Sequence, residues 1–143
     1  MNTNNKIIEK FVSLYASLNV SNVNELDKLY DANIQFIDPV HHINGLSDLK
    51  KYISHMYENI SDYKLTVLDC VQGESTAYLT WSLRFCHPRL NAGNRIEFEG
   101  VSKLKIKEKI YKHQDFYDLG AMLYEHIPVL GSLLKIIKNK AGK

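Results

Sequence analysis

The residues of this chain best suited to chemistry lie on one short segment near its end, residues 109–118. Side chains of a β-strand alternate between its two faces. One face of this segment therefore carries Tyr111, His113, Asp115 and Tyr117. Imidazole, carboxylate and phenol groups accept, donate and relay protons. Because a structural strand usually buries aliphatic side chains, this row predicts the wall of a binding pocket.

The composition limits the kind of protein to which such a pocket belongs. The chain has 143 residues, of which 45% are hydrophobic and 24% charged, as expected for one folded domain. A net charge of +2 lacks the concentrated positive charge of nucleic-acid binders, so no nucleic-acid partner is expected. The first residues lack the apolar core of a signal peptide, and no apolar run reaches the ~18–20 residues of a membrane span. A cytoplasmic location is predicted.

Helical periodicity dominates the first half of the chain, and alternation dominates the second. Helices are predicted at residues 7–18, from 21 or 22 to 30, and from 47 or 48 to near Asn59, with a strand at 34–38 that Pro39 ends. Strands are predicted at residues 63–71, 76–87, 95–107 and 110–118, and the turn residues between them favour consecutive hairpins.

Strict alternation assigns an interior face to two of these strands. That face carries Leu79, Trp81, Leu83, Phe85 and His87 on one strand, and Ile96, Phe98, Gly100, Ser102, Leu104 and Ile106 on the next. The pattern predicts a curved antiparallel sheet with helices packed on one of its faces.

The order of these elements, together with three short motifs, resembles the nuclear transport factor 2-like superfamily, particularly its SnoaL-like and ketosteroid-isomerase-like members. The motifs are Phe36-x-Asp38-Pro39-x-His41 followed by Gly45, then Gly100-Val101-Ser102, then His113-x-Asp115-Phe116-Tyr117-Asp118. The resemblance implies an α+β fold, in which a cone-shaped, curved antiparallel sheet packs against N-terminal helices and a helical tail follows. It also implies a single SnoaL-like domain over residues 1–143, with 119–143 as its C-terminal helical extension, and a pocket between sheet and helices.

The resemblance also implies which residues carry the chemistry. Asp38 stands where the ketosteroid isomerases hold their proton-shuttling carboxylate, and burial strengthens a carboxylate as a base, so Asp38 is predicted as the general base. Those isomerases form an oxyanion hole from a tyrosine and a protonated aspartate. Leu14 and Ser102 stand at the corresponding positions here. Tyr15, about 100° around the helix from Leu14, is expected to point elsewhere, so their steroid mechanism is not predicted.

Other polar residues are predicted to complete the site. His113 and Asp115 are expected to form a proton-relay or orienting pair, with His41 as a second acid. Ligand contacts are predicted for Phe36, Trp81, Phe85, His87, Phe98, Ser102 and Tyr117. The alternatives are structural, since an aspartate before proline often caps a turn, and a histidine–aspartate pair can satisfy a polar interior.

Two kinds of chemistry are not predicted. Imidazole and carboxylate groups could ligate zinc or iron, but the histidines and aspartates lack the tight spacing of metal ligands, so no metal is expected. No organic cofactor is expected either. The limonene-epoxide-hydrolase-like members use an aspartate–arginine–aspartate relay. Here Arg84 falls on the other strand face and Arg95 near a turn.

Two surfaces are predicted to make contacts of their own. In the tail, Pro128 separates two helical pieces, of which the second is basic and amphipathic. This piece fits a lid over the cavity or on a partner subunit, or a weak contact with an anionic membrane surface. The resemblance implies a homodimer, because related folds commonly pair through the outer sheet face. That face here carries a mixed-charge set that can complement itself: Tyr78, Thr80, Arg84, Glu97, Glu99 and Lys103.

The sequence therefore predicts a protein that binds a small hydrophobic molecule and performs acid–base catalysis of isomerase, hydrolase or cyclase type, with Asp38 as base. Two alternatives remain open. The same pocket would serve a non-catalytic carrier or sensor, and the tail would serve an accessory interaction module.

Overall fold

A computed structural model describes residues 3–122 and 130–142 of the chain. The described helices are α1 (Thr3–Ser17), α2 (Leu46–Glu58), α3 (Leu119–Met122) and α4 (Leu130–Ala141), with 3₁₀ helices at Val23–Lys28 and Asn91–Gly93. The described strands are β1 (Tyr30–Ile37), β2 (His42–Asn44), β3 (Ser61–Gln72), β4 (Thr76–Cys86), β5 (Ile96–Ile106) and β6 (Ile110–Tyr117).

These strands form one curved sheet in the order β2-β1-β6-β5-β4-β3. Neighbouring strands are antiparallel, except that β1 and β6 run parallel, with Phe36 opposite His113. The predicted α+β fold is confirmed. Strand β2 was not predicted, because three residues are too few to show alternation. The parallel pair joins distant parts of the chain, and no local sequence pattern predicts such a pairing.

Helices α1 and α2 pack against the sheet through their apolar sides. Phe11 on α1 and Ile53 on α2 are each 3% exposed, and they share a buried cluster with Leu79 and Leu104 of the sheet. A second buried cluster is formed by β4 and β5 and contains Trp81, Phe85, Ile96 and Phe98. Side chains of both clusters line the cavity described below.

The second predicted helix is a 3₁₀ helix, and it is shorter than expected. It ends where the Leu29 N–H donates to the Leu26 carbonyl, and Tyr30 then begins β1 opposite Ile110. Tyr30 is 1% exposed. Burial of this large ring within the fold outweighs the weak helical preference of the segment.

A register shift between β5 and β6 changes the row of polar residues predicted on the last strand. The shift leaves Tyr111 as an extra residue, and its ring lies 4.9 Å from the Lys107 ammonium nitrogen. His113, Asp115 and Tyr117 line the cavity, whereas Tyr111 does not. The prediction that all four residues share one pocket face was therefore wrong for Tyr111, because a bulge breaks the two-residue period.

Helix α4 contacts the rest of the domain through an ion pair of 2.7 Å between Lys138 and Asp118. Three of its apolar side chains are more than half exposed: Leu133, Ile136 and Ile137. The break predicted at Pro128 lies outside the described residues. Within residues 3–122 and 130–142, no helix has both the length and the apolar character needed to cross a bilayer.

Candidate functional site

A cavity of about 360 Å³ lies between the helices and the inner face of the sheet. Its wall is largely aromatic, with Phe11 and Tyr15 from α1 and Tyr52 and Tyr57 from α2. The residues predicted as ligand contacts all line it, namely Phe36, Trp81, Phe85, His87, Phe98, Ser102 and Tyr117. The volume lies within the range of cavities that bind small organic molecules.

Three of the four residues predicted to be catalytic line the cavity, and the fourth does not. Asp38, His113 and Asp115 belong to the wall. His41 lies beside Asp38, with 3.3 Å between Nδ1 and Oδ1, and its side chain is 42% exposed. Its ring packs on Tyr52 at 4.5 Å between centroids. The structure therefore brings together three residues of the predicted set, with His41 behind Asp38.

The inner end of the cavity contains a continuous chain of hydrogen bonds. Asp115 Oδ1 lies 2.6 Å from His113 Nε2, and His113 Nδ1 lies 2.6 Å from the Tyr30 hydroxyl. The Tyr30 hydroxyl lies 2.6 Å from the Tyr15 hydroxyl. His113 and Tyr30 are buried, whereas the Asp115 side chain is 18% exposed and Tyr15 is half-buried in the cavity wall. The hydrogen bonds of the buried residues His113 and Tyr30 therefore connect Asp115 with Tyr15, and both of these residues line the cavity.

A second branch reaches Asp115 from the sheet. The Trp81 indole N–H donates to Ser102 Oγ at 2.9 Å, and the Ser102 hydroxyl donates to Asp115 Oδ1 at 2.5 Å. Gly100 makes this branch possible, because a Cβ at this position would lie 2.4 Å from the Trp81 ring. Both branches end on Oδ1. Within the described residues, no group donates a hydrogen bond to Oδ2 of this carboxylate.

Asp38 has a different environment. Its Oδ1 accepts the backbone N–H groups of Val40 and His41 at 2.8 and 2.6 Å, which is an Asx turn around Pro39. Its Oδ2 accepts the Tyr52 hydroxyl at 3.0 Å. Each oxygen of Asp38 therefore has a protein donor, so the turn-capping role left open by the sequence is present in the structure.

Tyrosines that surround these carboxylates are held in the neutral form. Burial, followed by nearby Asp38 and Asp115, raises the pKa of Tyr117 above its ordinary value. Burial together with the Asp38 charge and hydrogen bond raises the pKa of Tyr52. Burial is also the main cause that raises the pKa of Tyr63 to about 12. The phenols thus act as neutral hydrogen-bonding groups near physiological pH.

The structure corrects the expectation for helix α1. Tyr15 lines the cavity and Leu14 does not, so the expectation that Tyr15 points elsewhere was wrong. The error came from transferring a helix position by resemblance. The spacing of Phe11 and Tyr15, four residues apart on one helix face, was the signal that could have identified Tyr15. Tyr30 had no such signal, because the segment before it was interpreted as a helix.

Metal ligands and arginines do not contribute to this site in the part of the chain that the structure describes. No group of three or more His, Cys, Asp or Glu side chains is arranged to hold a metal ion there. Arg84 and Arg95 both pair with Asp62, at 3.7 and 3.1 Å, and neither lines the cavity. The polar groups of the described wall, Asp38, His113 and Asp115 among them, are suited to hydrogen bonding and proton transfer.

Solved structures share this fold at low sequence identity. A hypothetical protein with a ketosteroid isomerase-like fold from Catenulispora acidiphila DSM 44928, in complex with trimethylamine, has a TM-score of 0.73 and 14% identity over 85% of this chain and 93% of its own. A proposed SnoaL-like polyketide cyclase from Jannaschia sp. CCS1 has a TM-score of 0.70 and 10% identity over 82% of this chain and 89% of its own. TerC, co-crystallised with polyporic acid, has a TM-score of 0.69 and 12% identity over 81% and 94% of the two chains.

No protein of curated function matches the sequence. The model of the SnoaL-like domain family matches residues 11–113, which contain the second half of α1, helix α2, strands β1 to β5 and the start of β6. Since this match covers well over half of the sequence, the chain belongs to the SnoaL-like domain family.

Proposed function

We propose that this protein binds a small, mostly apolar molecule in its cavity and moves a proton on that molecule. The observation that carries the proposal is the position of the His113–Asp115 pair in an aromatic cavity of about 360 Å³. Apolar walls supply affinity, and a few converging polar groups orient the ligand. Such a site supports an isomerase, hydrolase or cyclase type of reaction without an organic cofactor.

Asp115 is the group that we propose as the first proton acceptor. Its Oδ2 has no described donor, whereas Oδ1 is held by Ser102 and His113. A carboxylate fixed through one oxygen can present the other to a ligand in a constant direction. His113 orients this carboxylate and can share its proton.

Asp38, which the sequence predicted as the general base, remains in the proposal as a second base. Oδ1 of Asp38 already accepts two backbone N–H groups and Oδ2 accepts the Tyr52 hydroxyl, so a proton from the ligand has to use the remaining lone pair of Oδ2. The turn and Tyr52 therefore make Asp38 the weaker candidate for the first step. His41 then supports the Asp38 turn and does not contact the ligand.

Relatives with bound ligands support the binding part of the proposal. One similar structure contains trimethylamine and another contains polyporic acid. These are chemically unlike compounds, so they support small-molecule binding without identifying the ligand of this protein.

The test uses Trp81, the single tryptophan of the chain, which lines the cavity. A panel of planar apolar compounds is titrated while indole fluorescence is recorded, and compounds that bind are then incubated with the protein and checked for conversion. Asp115→Asn is expected to retain binding and lose conversion, whereas Asp69→Asn, on an exposed residue outside the cavity, retains both. Equal conversion by wild type and Asp115→Asn would refute the assignment of the base.

A carrier or sensor is the alternative function, because the same cavity can hold a ligand without changing it. A carrier predicts saturable fluorescence quenching with no conversion of any bound compound. It also predicts that the variants Asp38→Asn and Asp115→Asn differ from wild type only in their affinity for these compounds. Binding by wild type with loss of turnover in one variant would favour the enzyme.

The assembly and location are also proposals. A homodimer through the outer sheet face predicts a sedimentation-equilibrium mass near twice the 16.5 kDa of one chain. A cytoplasmic location and a weak contact of α4 with an anionic membrane surface complete the proposal. The exposed side chains of Leu133, Ile136 and Ile137, beside lysines of the same helix, support the membrane contact.

A further inference from the structure

The hydrogen-bond chain that ends at Tyr15 has only a few ways to arrange its hydrogens. His113 uses both ring nitrogens, with Nε2 facing Asp115 and Nδ1 facing Tyr30. Tyr30 is 1% exposed, and its hydroxyl lies between His113 and Tyr15. Each hydroxyl has one hydrogen, so the protonation of Nδ1 decides in which direction both tyrosines donate.

In the first arrangement, the His113–Asp115 pair holds one proton. Nε2–H donates to the Asp115 carboxylate, so Nδ1 is an acceptor and the Tyr30 hydroxyl donates to it. The Tyr15 hydroxyl then donates to the Tyr30 oxygen. In this arrangement Tyr15 presents an oxygen lone pair to the cavity.

In the second arrangement, the pair holds one additional proton. Nδ1 now carries hydrogen and donates to the Tyr30 oxygen, so Tyr30 donates to the Tyr15 oxygen. The hydrogen of Tyr15 is then free to point into the cavity. The same residue presents an acceptor in one arrangement and a donor in the other.

We propose that Tyr30 is a positioning residue that couples ligand recognition at Tyr15 to the proton count of the His113–Asp115 pair. A ligand carbonyl that accepts a hydrogen bond from Tyr15 binds together with one proton taken from solvent. A ligand N–H that donates to Tyr15 binds without proton uptake. The inference rests on the proposed function, because it requires that ligands occupy the cavity.

The described groups around the row of hydrogen bonds offer no other route for the coupling. Tyr63 does not compete for the Tyr15 hydroxyl, because it donates to the Tyr15 backbone carbonyl at 3.1 Å. Burial raises the pKa of both Tyr15 and Tyr30, so these phenols stay neutral. The other ionisable or polar residues of the described wall are Asp38, Tyr52, His55, Tyr57, Asn59, Tyr63, Trp81, His87, Ser102 and Tyr117, with no lysine or arginine among them.

Three bicyclic compounds of similar shape separate the two kinds of hydrogen bond. 1-Indanone has a carbonyl acceptor, indole has an N–H donor, and indane has neither. Isothermal titration calorimetry in buffers of different ionisation enthalpy counts the protons taken up with each compound. Where the free protein holds the first arrangement, 1-indanone is expected to take up close to one proton per molecule, and its Kd is expected to rise about tenfold per pH unit. Indole and indane are expected to take up none.

Two variants test the route of the coupling. Tyr30→Phe removes the hydroxyl between Tyr15 and His113, so proton uptake with 1-indanone should fall to zero while the Kd of indane stays near that of wild type. Tyr15→Phe removes the hydroxyl that meets the ligand and should also abolish proton uptake with 1-indanone, with the buried Tyr30–His113 bond intact. A variant with unchanged indane affinity is folded at the cavity, which excludes misfolding as the cause.

The outcomes separate this inference from the proposed function. If none of the three compounds binds the wild-type protein, small-molecule binding fails and the inference fails with it. If all three bind and 1-indanone takes up no proton, or takes it up equally in Tyr30→Phe, the coupling is refuted and the binding function stands.

Discussion

Gly100→Ala is predicted to destabilise the protein more than any other conservative glycine change in the described sheet and turns. The new Cβ would lie 2.4 and 2.5 Å from two atoms of the Trp81 ring and 2.9 Å from the Phe116 carbonyl oxygen. Carbon atoms in contact prefer separations of about 3.5 Å or more, so the ring must move by about 1 Å. Trp81 is 6% exposed and packs edge-on against Phe98, which leaves little room for that movement.

The expected loss of stability has two parts. Forcing one extra carbon into a packed core costs about 1–3 kcal/mol. Moving the indole also weakens its hydrogen bond to Ser102, which contributes about 1 kcal/mol. The sum is about 2–4 kcal/mol, measured as the change in free energy of urea unfolding followed by far-ultraviolet circular dichroism.

Gly73→Ala is the matched control, since a Cβ there would meet its nearest atom, the Thr76 carbonyl oxygen, at an ordinary 3.6 Å. Its free energy of unfolding should change by less than about 1 kcal/mol. Trp81→Phe provides a second check, because a smaller ring makes room for the methyl group and Gly100→Ala should cost less in that background. A loss for Gly100→Ala no larger than for Gly73→Ala would refute the reasoning.

Three further predictions concern other parts of the fold. Ser102→Ala removes the hydroxyl between the indole and Asp115 and should lower the free energy of urea unfolding by about 1–3 kcal/mol. Ser82→Ala is the control and should change it by less than about 0.5 kcal/mol, because the hydrogen bond from Ser82 to Glu97 is long at 3.4 Å. Burial raises the pKa of Tyr63 to about 12, so the stability that this shift contributes is complete below the unfolded-state pKa of about 10. That stability is lost as the pH rises through the folded-state pKa, so Tyr63→Phe should reduce the loss of stability in alkaline urea titrations. Ile136→Asp should abolish flotation of the protein with anionic vesicles, while Asn139→Asp, which makes the same charge change on the polar side of α4, should weaken flotation less. Flotation unaffected by Ile136→Asp would contradict a membrane role for this helix.

The sequence predicted the parts of the site that depend on local alternation. Strands β4 and β5 each bury one face, so their two-residue period placed Trp81, Phe85, Phe98 and Ser102 on the interior face, and all four line the cavity. The same reasoning failed at Tyr111, where the bulge next to Ile110 inserts an unpaired residue that no composition signal marks.

The parts that were not predicted depend on contacts between distant segments. Tyr30 was interpreted as the end of a helix because its neighbours are spaced like one, and only pairing with β6 makes it the start of a strand. The hydrogen bond between Tyr30 and His113 joins residues 83 positions apart, which no window of the sequence can show. Asp38 lines the cavity, but its Asx turn and its bond to Tyr52 became visible only in three dimensions.

The parallel pairing of β1 with β6 has a consequence for how the protein folds. A loop of about 80 residues must close before Tyr30 meets its partner strand, and each doubling of loop length adds about 0.6 kcal/mol to the entropic cost. The hairpins β3–β4, β4–β5 and β5–β6 are local and can form earlier. During synthesis, β1 has no neighbour on that side until residue 110 and beyond have left the ribosome. The polar chain across β1 and β6 is therefore assembled in a late step of folding, and a chain that stops short of β6 lacks it entirely.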